Sequence, residues 1–464
     1  MNTIHEETTI HHEANVEPMT RPAEPPPGPV WRVVGASVAG GLIGALVLTL
    51  GVFGGATEPV ITGAALLAFA GGWALLARLS TRFTQQPQTW ARVPATVMAC
   101  AGVVLLVARP DDRALDAVGW IWPAGALALA AWMAVQLRRH LHGRVRWLLY
   151  PVIVAIAVGS VGGTYETVAR ERIQHDSPAP GALFDVGGHR LHIDCAGTGR
   201  PTVVLESGLG GMSVLWDRIS DEVSRTSRVC SYDRAGQGWS DDVDTPRDGV
   251  AIADDLHTLL ERAGETGPYV LVGHSAGGPY SMIYADRYPD EVAGMVLLDS
   301  MSPDAFTDLP GFATEQSMMR RGLGVLPSLT RLGTGRILPT SAWSSLPEPA
   351  ASQVQAFSAS PRSMRTMRDE QSTYPAVFAQ ARSLTSLGVK PLVVLIATES
   401  IHEHDEWVDL QVRLAALSTN SQHRIVDATH AGLVDDAESS GASVQAIFDV
   451  LESIRTGHHP VASR

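Results

Sequence analysis

Five stretches in the first third of the chain carry no Asp, Glu, Lys, Arg or His: Val33–Thr57, Pro59–Ala77, Val93–Ala108, Ala117–Leu137 and Trp147–Tyr165. They are apolar or Gly/Ala-rich around the whole helical circumference, whereas a surface helix of a soluble core keeps one polar face. About 20 apolar residues cross a bilayer, so four stretches reach that length and Val93–Ala108 is marginal. Residues 30–166 are therefore expected to form an all-α transmembrane region of about five helices. Charged residues make up only 18% of the 464-residue chain, below the quarter or so usual in soluble domains, and the deficit sits here.

The segment before these stretches, residues 1–29, is polar and holds Pro22, Pro25, Pro26, Pro27 and Pro29. It reads as a disordered tail, with His5, His11 and His12 solvated rather than metal-bound. The loops that share a side with the N-terminus hold Arg78, Arg82, Arg92, Arg138, Arg139, Arg144 and Arg146, against Arg109 and Arg113 opposite. That excess predicts a cytoplasmic N-terminus and, for an odd number of spans, an extracytoplasmic remainder after Tyr165. With no ionisable group inside the stretches, an anchor or packing module is expected rather than an ion or proton pathway. Gly40 and Gly44 are spaced either for close helix approach or as lipid-facing filler. A net charge of −13 argues against nucleic-acid partners, which need a basic surface.

From Gly181 the pattern changes to short apolar runs alternating with amphipathic stretches, as in βα units around a largely parallel sheet. Expected strands are Leu183–Val186, Arg190–Asp194, Thr202–Glu206, Arg228–Tyr232, Tyr269–Val272, Gly294–Leu298, Leu392–Ala397 and His423–Val426. Expected helices are Leu215–Ser224, Val250–Ala263, Pro279–Arg287, Glu406–Leu417 and Ser443–Ile454. Between the fifth strand and the third of these helices lies Gly273-His274-Ser275-Ala276-Gly277. It reads as a nucleophile elbow, a strained turn that lifts a serine hydroxyl out of the sheet. Small residues at 273 and 277 suit the close backbone approach that such a turn imposes.

Eight strands with the elbow after the fifth resemble the α/β-hydrolase fold. Glu206-Ser207-Gly208-Leu209-Gly210-Gly211 is similar to the family's oxyanion turn, and Tyr232-Asp233-Arg234-Ala235-Gly236-Gln237-Gly238-Trp239-Ser240 to its loop after the fourth strand. Ala428-Thr429-His430-Ala431-Gly432 stands where the family places its histidine. The resemblance implies an eight-stranded, mostly parallel sheet with helices on both faces over residues 178–460. A helical cap inserted at about 300–388 is expected to cover the site. It implies Ser275 as nucleophile, His430 as base, and the Leu209 and Ala276 N–H groups as oxyanion donors. The acid is open. Ile401 occupies the position after the seventh strand where an aspartate is expected, so Asp299, at the end of the sixth strand, is favoured over Asp405 and Glu399. His274 is expected to pack or hydrogen-bond beneath the elbow.

Cys195 and Cys230, on the neighbouring second and fourth strands, read as a disulfide or as two buried thiols, and Cys100 as a packed residue within a span. The cap carries breakers at Pro310, Pro327, Pro339, Pro347, Pro349 and Pro361. Its arginines, among them Arg331, Arg336 and Arg365, read as a solvated surface or as a basic patch for anionic substrates or lipid headgroups. Met301, Met318, Met319, Met364 and Met367 read as core filling or as the lining of an adaptable pocket. The expected protein is a membrane-anchored serine hydrolase acting on a carboxylic ester or lipid-like substrate, in contact with the bilayer and using no cofactor or metal. A peptidase or acyltransferase of the same fold, or a disabled membrane receptor or binding module, stays open. Serine at the elbow argues against dehalogenase or epoxide-hydrolase chemistry, which in similar families uses an aspartate nucleophile.

Overall fold

The computed structural model describes residues 29–337 and 345–458; the expectations for residues 1–28 and for Pro339 fall outside them. The first part is helical: α1 (Val30–Leu46), α2 (Glu58–Phe83), α3 (Arg92–Ala108), α4 (Asp112–Val118), α5 (Trp122–His140) and α6 (Tyr150–Asp176). Four segments, Val30–Val52, Glu58–Phe83, Thr89–Ala108 and Arg144–Ile173, are long and apolar enough to cross a membrane, and α4 with α5 would make a fifth. This is the helix set of a membrane protein. Leu42, Ile43, Val103, Val104, Val107, Val158 and Val161 point outward from it, as side chains do where lipid replaces water.

Three expectations for this region need correction. Ala117–Leu137 is not one straight helix: the chain bends by 48° between α4 and α5. Helix α5 restarts with Pro123 in its first turn, where the missing N–H costs nothing. The marginal third stretch gains a preceding turn, Thr89–Ala91, and with it a full span. Cys100 is exposed rather than packed. Gly40 and Gly44 both face α2, but the tightest approach is at Gly72, where a Cβ would lie 2.9 Å from Ser37 O and 3.1 Å from the Gly41 Cα.

The second part is an eight-stranded sheet: β1 (Ala182–Asp185), β2 (Arg190–Ala196), β3 (Thr202–Glu206), β4 (Val229–Asp233), β5 (Tyr269–His274), β6 (Val292–Leu298), β7 (Leu392–Ala397) and β8 (Ser421–Val426). Their order is β1-β2-β4-β3-β5-β6-β7-β8. Only the β1–β2 and β2–β4 pairings are antiparallel; all others are parallel. Central strands are buried on both faces, which is why they read as unbroken Val/Leu/Ile runs.

Helices α7 (Asp217–Ser224), α8 (Gly249–Arg262), α9 (Gly277–Arg287), α16 (Trp407–Ala415) and α18 (Ser440–Thr456) flank the sheet, with short helices α15 (Thr398–Glu403) and α17 (Gly432–Asp435) at strand ends. One core, on the α8/α9 face, includes Leu256, Leu271, Ile283 and Leu297. The other includes Val203, Val272, Val296, Ile447 and Val450. Each such buried side chain stabilises the fold by about 1.5–3 kcal/mol.

The cap lies between β6 and β7 and comprises α10 (Ala305–Asp308), α11 (Phe312–Thr330), α12 (Thr334–Ile337), α13 (Ala350–Ser358) and α14 (Pro361–Ala381). Tyr374, Val377 and Phe378 anchor α14 in the α8/α9 core. Pro327 does not break the chain; it sits inside α11. Pro361 starts α14, capped by the Ser360 hydroxyl.

Three of the cap arginines are not free solvated charge. Arg331 donates to Glu58 at the start of α2 (Nη2–Oε2 2.9 Å) and to Asp116 in α4 (2.9 Å). Arg336 forks onto Glu166 in α6 (2.7 and 3.1 Å), and Arg365 pairs with Asp112 and Asp242. These pairs join cap to membrane helices, which corrects the reading of Arg331, Arg336 and Arg365 as a patch for anionic ligands. Among the methionines, Met318 and Met319 are exposed.

Candidate active site

Strand β5 ends at His274, and α9 begins at Gly277, so the chain reverses within two residues. Ser275 takes a φ of +54°, a strained region for a non-glycine residue. The turn is held by the Ser275 N–H donating to Leu298 O (3.2 Å) and by Ser275 O accepting from Gly278 N–H (3.2 Å) and Met301 N–H (3.0 Å). A side chain at 273 or 277 would run into backbone, of the first α9 turn and of Glu206 respectively. The small residues at those positions are thus required by space.

Asp299 follows β6, again at positive φ (+42°), and is fully buried. Its carboxylate accepts from His430 Nδ1 (2.6 Å), Trp407 Nε1 (2.8 Å), the Ser400 hydroxyl (2.5 Å) and Ala397 N–H (3.3 Å). Burial pushes its pKa up, but the hydrogen bonds from His430, Ser400 and Trp407 outweigh that and hold it below the usual carboxylate range. Asp299 is thus the carboxylate on the His430 ring. Among the described residues Glu399 accepts only from the His430 backbone N–H (2.6 Å), and Asp405 is exposed in the turn before α16. Ile401 packs against the core instead of carrying an acid; Ser400 and Trp407 on either side of it serve Asp299.

His274 lies beneath the elbow, its Nε2 within 3.0 Å of His430 O and its ring centroid 4.6 Å from that of His430. Burial, reinforced by the neighbouring His430, lowers its pKa to about 3, so it is a neutral packing and hydrogen-bonding group. Among the described residues the Ser275 hydroxyl makes no hydrogen bond. Such contacts are often long in free enzymes and close when substrate arrives.

The turn after β3 is organised by two residues whose part the sequence did not disclose. Arg234, from the loop after β4, donates to Glu206 Oε1 (2.7 Å), Ser207 O (2.6 Å), Gly208 O (2.6 Å) and both oxygens of Glu370 (2.9 and 3.1 Å). Glu370, from cap helix α14, also accepts from Gly210 N–H (3.1 Å). Burial opposes the Arg234 charge, but Glu370 and Glu206 more than restore it. Two carbonyls and one N–H on either side of Leu209 are thereby fixed, while the Leu209 and Ala276 N–H groups have no hydrogen-bond partner among the described residues. The motif around Arg234 was visible in sequence; its partner 136 residues away carried no local signal.

The chain belongs to the alpha/beta hydrolase fold family, whose sequence pattern matches residues 201–437, from β3 through α17. It is 29% identical over 283 residues to an uncharacterized protein of Schizosaccharomyces pombe, covering 54% of this chain and 52% of that one. It is 27% identical over 158 residues to an uncharacterized vacuolar membrane protein of Saccharomyces cerevisiae, covering 30% and 24%. The chain thus spans about half, or less, of the length of these curated relatives. A solved structure of an aCif variant superposes with a TM-score of 0.51 at 14% identity, over 62% of this chain and 96% of that one, a likeness of fold alone.

Proposed function

We propose that this protein is a membrane-anchored serine hydrolase that cleaves carboxylic esters through an acyl-enzyme at Ser275. The observation that carries the reading is the 2.6 Å contact from His430 Nδ1 to the buried Asp299, on a sheet whose elbow presents Ser275. In this mechanism His430 Nε2 takes the Ser275 proton as Oγ bonds to the carbonyl carbon, and Asp299 stabilises the imidazolium. The Leu209 and Ala276 N–H groups receive the oxyanion; one such donor is typically worth about 3 kcal/mol of barrier. His430 then protonates the leaving alcohol, and water, activated by the same histidine, releases the acid. A carboxylate bonded to His430 speaks for a working site over a disabled receptor. An extracytoplasmic catalytic domain is part of the proposal. It is supported by the bond between Cys195 and Cys230, since such bonds persist outside reducing compartments.

The test is turnover of a short p-nitrophenyl ester, together with fluorophosphonate labelling of the full-length protein. Ser275→Ala is expected to abolish both while leaving thermal unfolding unchanged, and Asp299→Asn to lower kcat about 10⁴-fold. Persistent turnover in the serine variant ends the proposal, and a collapse in Asp405→Asn but not Asp299→Asn reassigns the acid.

A further inference from the structure

Cap helix α11 and the turn after it pack against three of the candidate spans. Arg321 donates to Leu50 O (3.0 Å), in the last turn of the first span, and Arg320 lies against Gly55 in the turn that follows. Further along, Ser328 shares a hydrogen bond with Thr62 (2.7 Å), four residues into α2. Leu332 lies on Gly159, and its carbonyl lies against Gly162. Gly159 precedes Glu166, the first charged residue after the uncharged stretch of α6, by seven positions. At 1.5 Å per residue, the segment Ser328–Leu332 therefore sits about 6–10 Å below the charged ends of α2 and α6.

The composition of α11 suits that depth. Gly322–Thr330 is uncharged, bracketed by Arg320 and Arg321 on one side and Arg331 on the other. Met318, Val325, Leu329 and Leu332 follow one another at helical spacing. Of these, Met318 (68%), Leu329 (41%) and Leu332 (38%) are exposed. An apolar stripe with arginines beside its two end residues, continuous with the outward-facing apolar side chains of the spans, has the form of helices that lie in the interface with their apolar face about 5–10 Å deep.

We propose that α11 is embedded in the adjoining bilayer leaflet, so that the Met318–Leu332 stripe is covered by acyl chains while Arg320 sits among phosphate headgroups. The cap is then a lipid-contacting element in its own right. Through its packing on α14, which bears Glu370, it connects the leaflet to the turn after β3. This inference does not depend on the catalytic reading.

The test uses the wild-type full chain in phosphatidylcholine/phosphatidylglycerol nanodiscs containing phosphatidylcholine with a diazirine either near the ester end or at the methyl end of an acyl chain. Crosslinked peptides are mapped by mass spectrometry, with the span peptides as internal reference. Peptides containing Met318 and Leu329 should be labelled, at least about twofold more by the shallow probe than by the deep one. Labelling confined to the spans, or α11 labelling no higher than that of exposed α7, would overturn the proposal. In a Met318→Glu, Leu329→Glu variant the α11 labelling should fall at least about twofold while the spans keep theirs; unchanged α11 labelling would also count against it.

Discussion

The two sides of the cap meet their neighbours in opposite ways. Toward the sheet, α14 supplies a carboxylate, Glu370, to an arginine of the hydrolase half, within a continuous apolar core of Tyr374, Val377 and Phe378. Toward the membrane, the cap supplies the arginines, Arg331 and Arg336, to Glu58, Asp116 and Glu166, and glycines at 55, 162, 324 and 333 let the backbones touch. The first contact orients backbone around the candidate oxyanion turn; the second joins two halves that share no sheet. In both, removing one partner leaves a desolvated charge, which costs more than the pair itself contributes.

The comparison can be broken by substitutions on each side. Arg234→Met strands two buried carboxylates, so a loss of about 3–5 kcal/mol is expected in denaturant unfolding, with kcat falling because the Ser207 and Gly208 carbonyls lose their donor and Glu370, which holds Gly210 N–H, loses its partner. Arg331→Met should cost a similar or smaller amount, about 3 kcal/mol, and should open the cap to limited proteolysis while the kcat of the proposed esterase reaction is largely kept. If the two variants lose kcat equally, the functional distinction between the cap's faces is wrong. A double-mutant cycle on Arg336 and Glu166 is expected to give a coupling of about 1–3 kcal/mol; a coupling near zero would make that pair incidental.

The smallest effect is in acid. The Asp299 pKa is lowered in the fold, so its contribution is fully present above the ordinary carboxylate value of 3.8 and is lost as pH falls through the lower folded value. The stability gap between wild type and Asp299→Asn should therefore hold from neutral pH to about pH 5 and close only below about 4. A gap closing near pH 6 would contradict the geometry.

Local patterns were legible in the sequence and distant partnerships were not. The runs Thr202–Glu206 and Leu392–Ala397 are strands with the expected ends, because apolar β-formers buried on both faces leave no other reading. Ser275 was singled out from turn chemistry, and His430 and Asp299 from the strand ends at which the resembling family carries its histidine and, in some members, its acid; the structure brings the His430 ring onto Asp299. The spans were legible from missing charge, except at Gly119–Ile121, where the bend depends on how α4 and α5 pack. Arg331 with Glu58, 273 residues apart, and Arg234 with Glu370 were hidden. A charged residue in isolation looks like solvated surface, and only tertiary placement reveals that it is buried.

The link between α6 and β1 is only residues 177–181, and it is fastened to the hydrolase half where Trp239 donates to Ser177 O (2.9 Å). With Arg331 and Arg336 gripping α2, α4 and α6, the hydrolase half is held to the helical region at several points besides this link. Ser275 is therefore carried on a body pinned to the helical region at several separate points, and its distance from the spans is set by those contacts and not by the length of a linker.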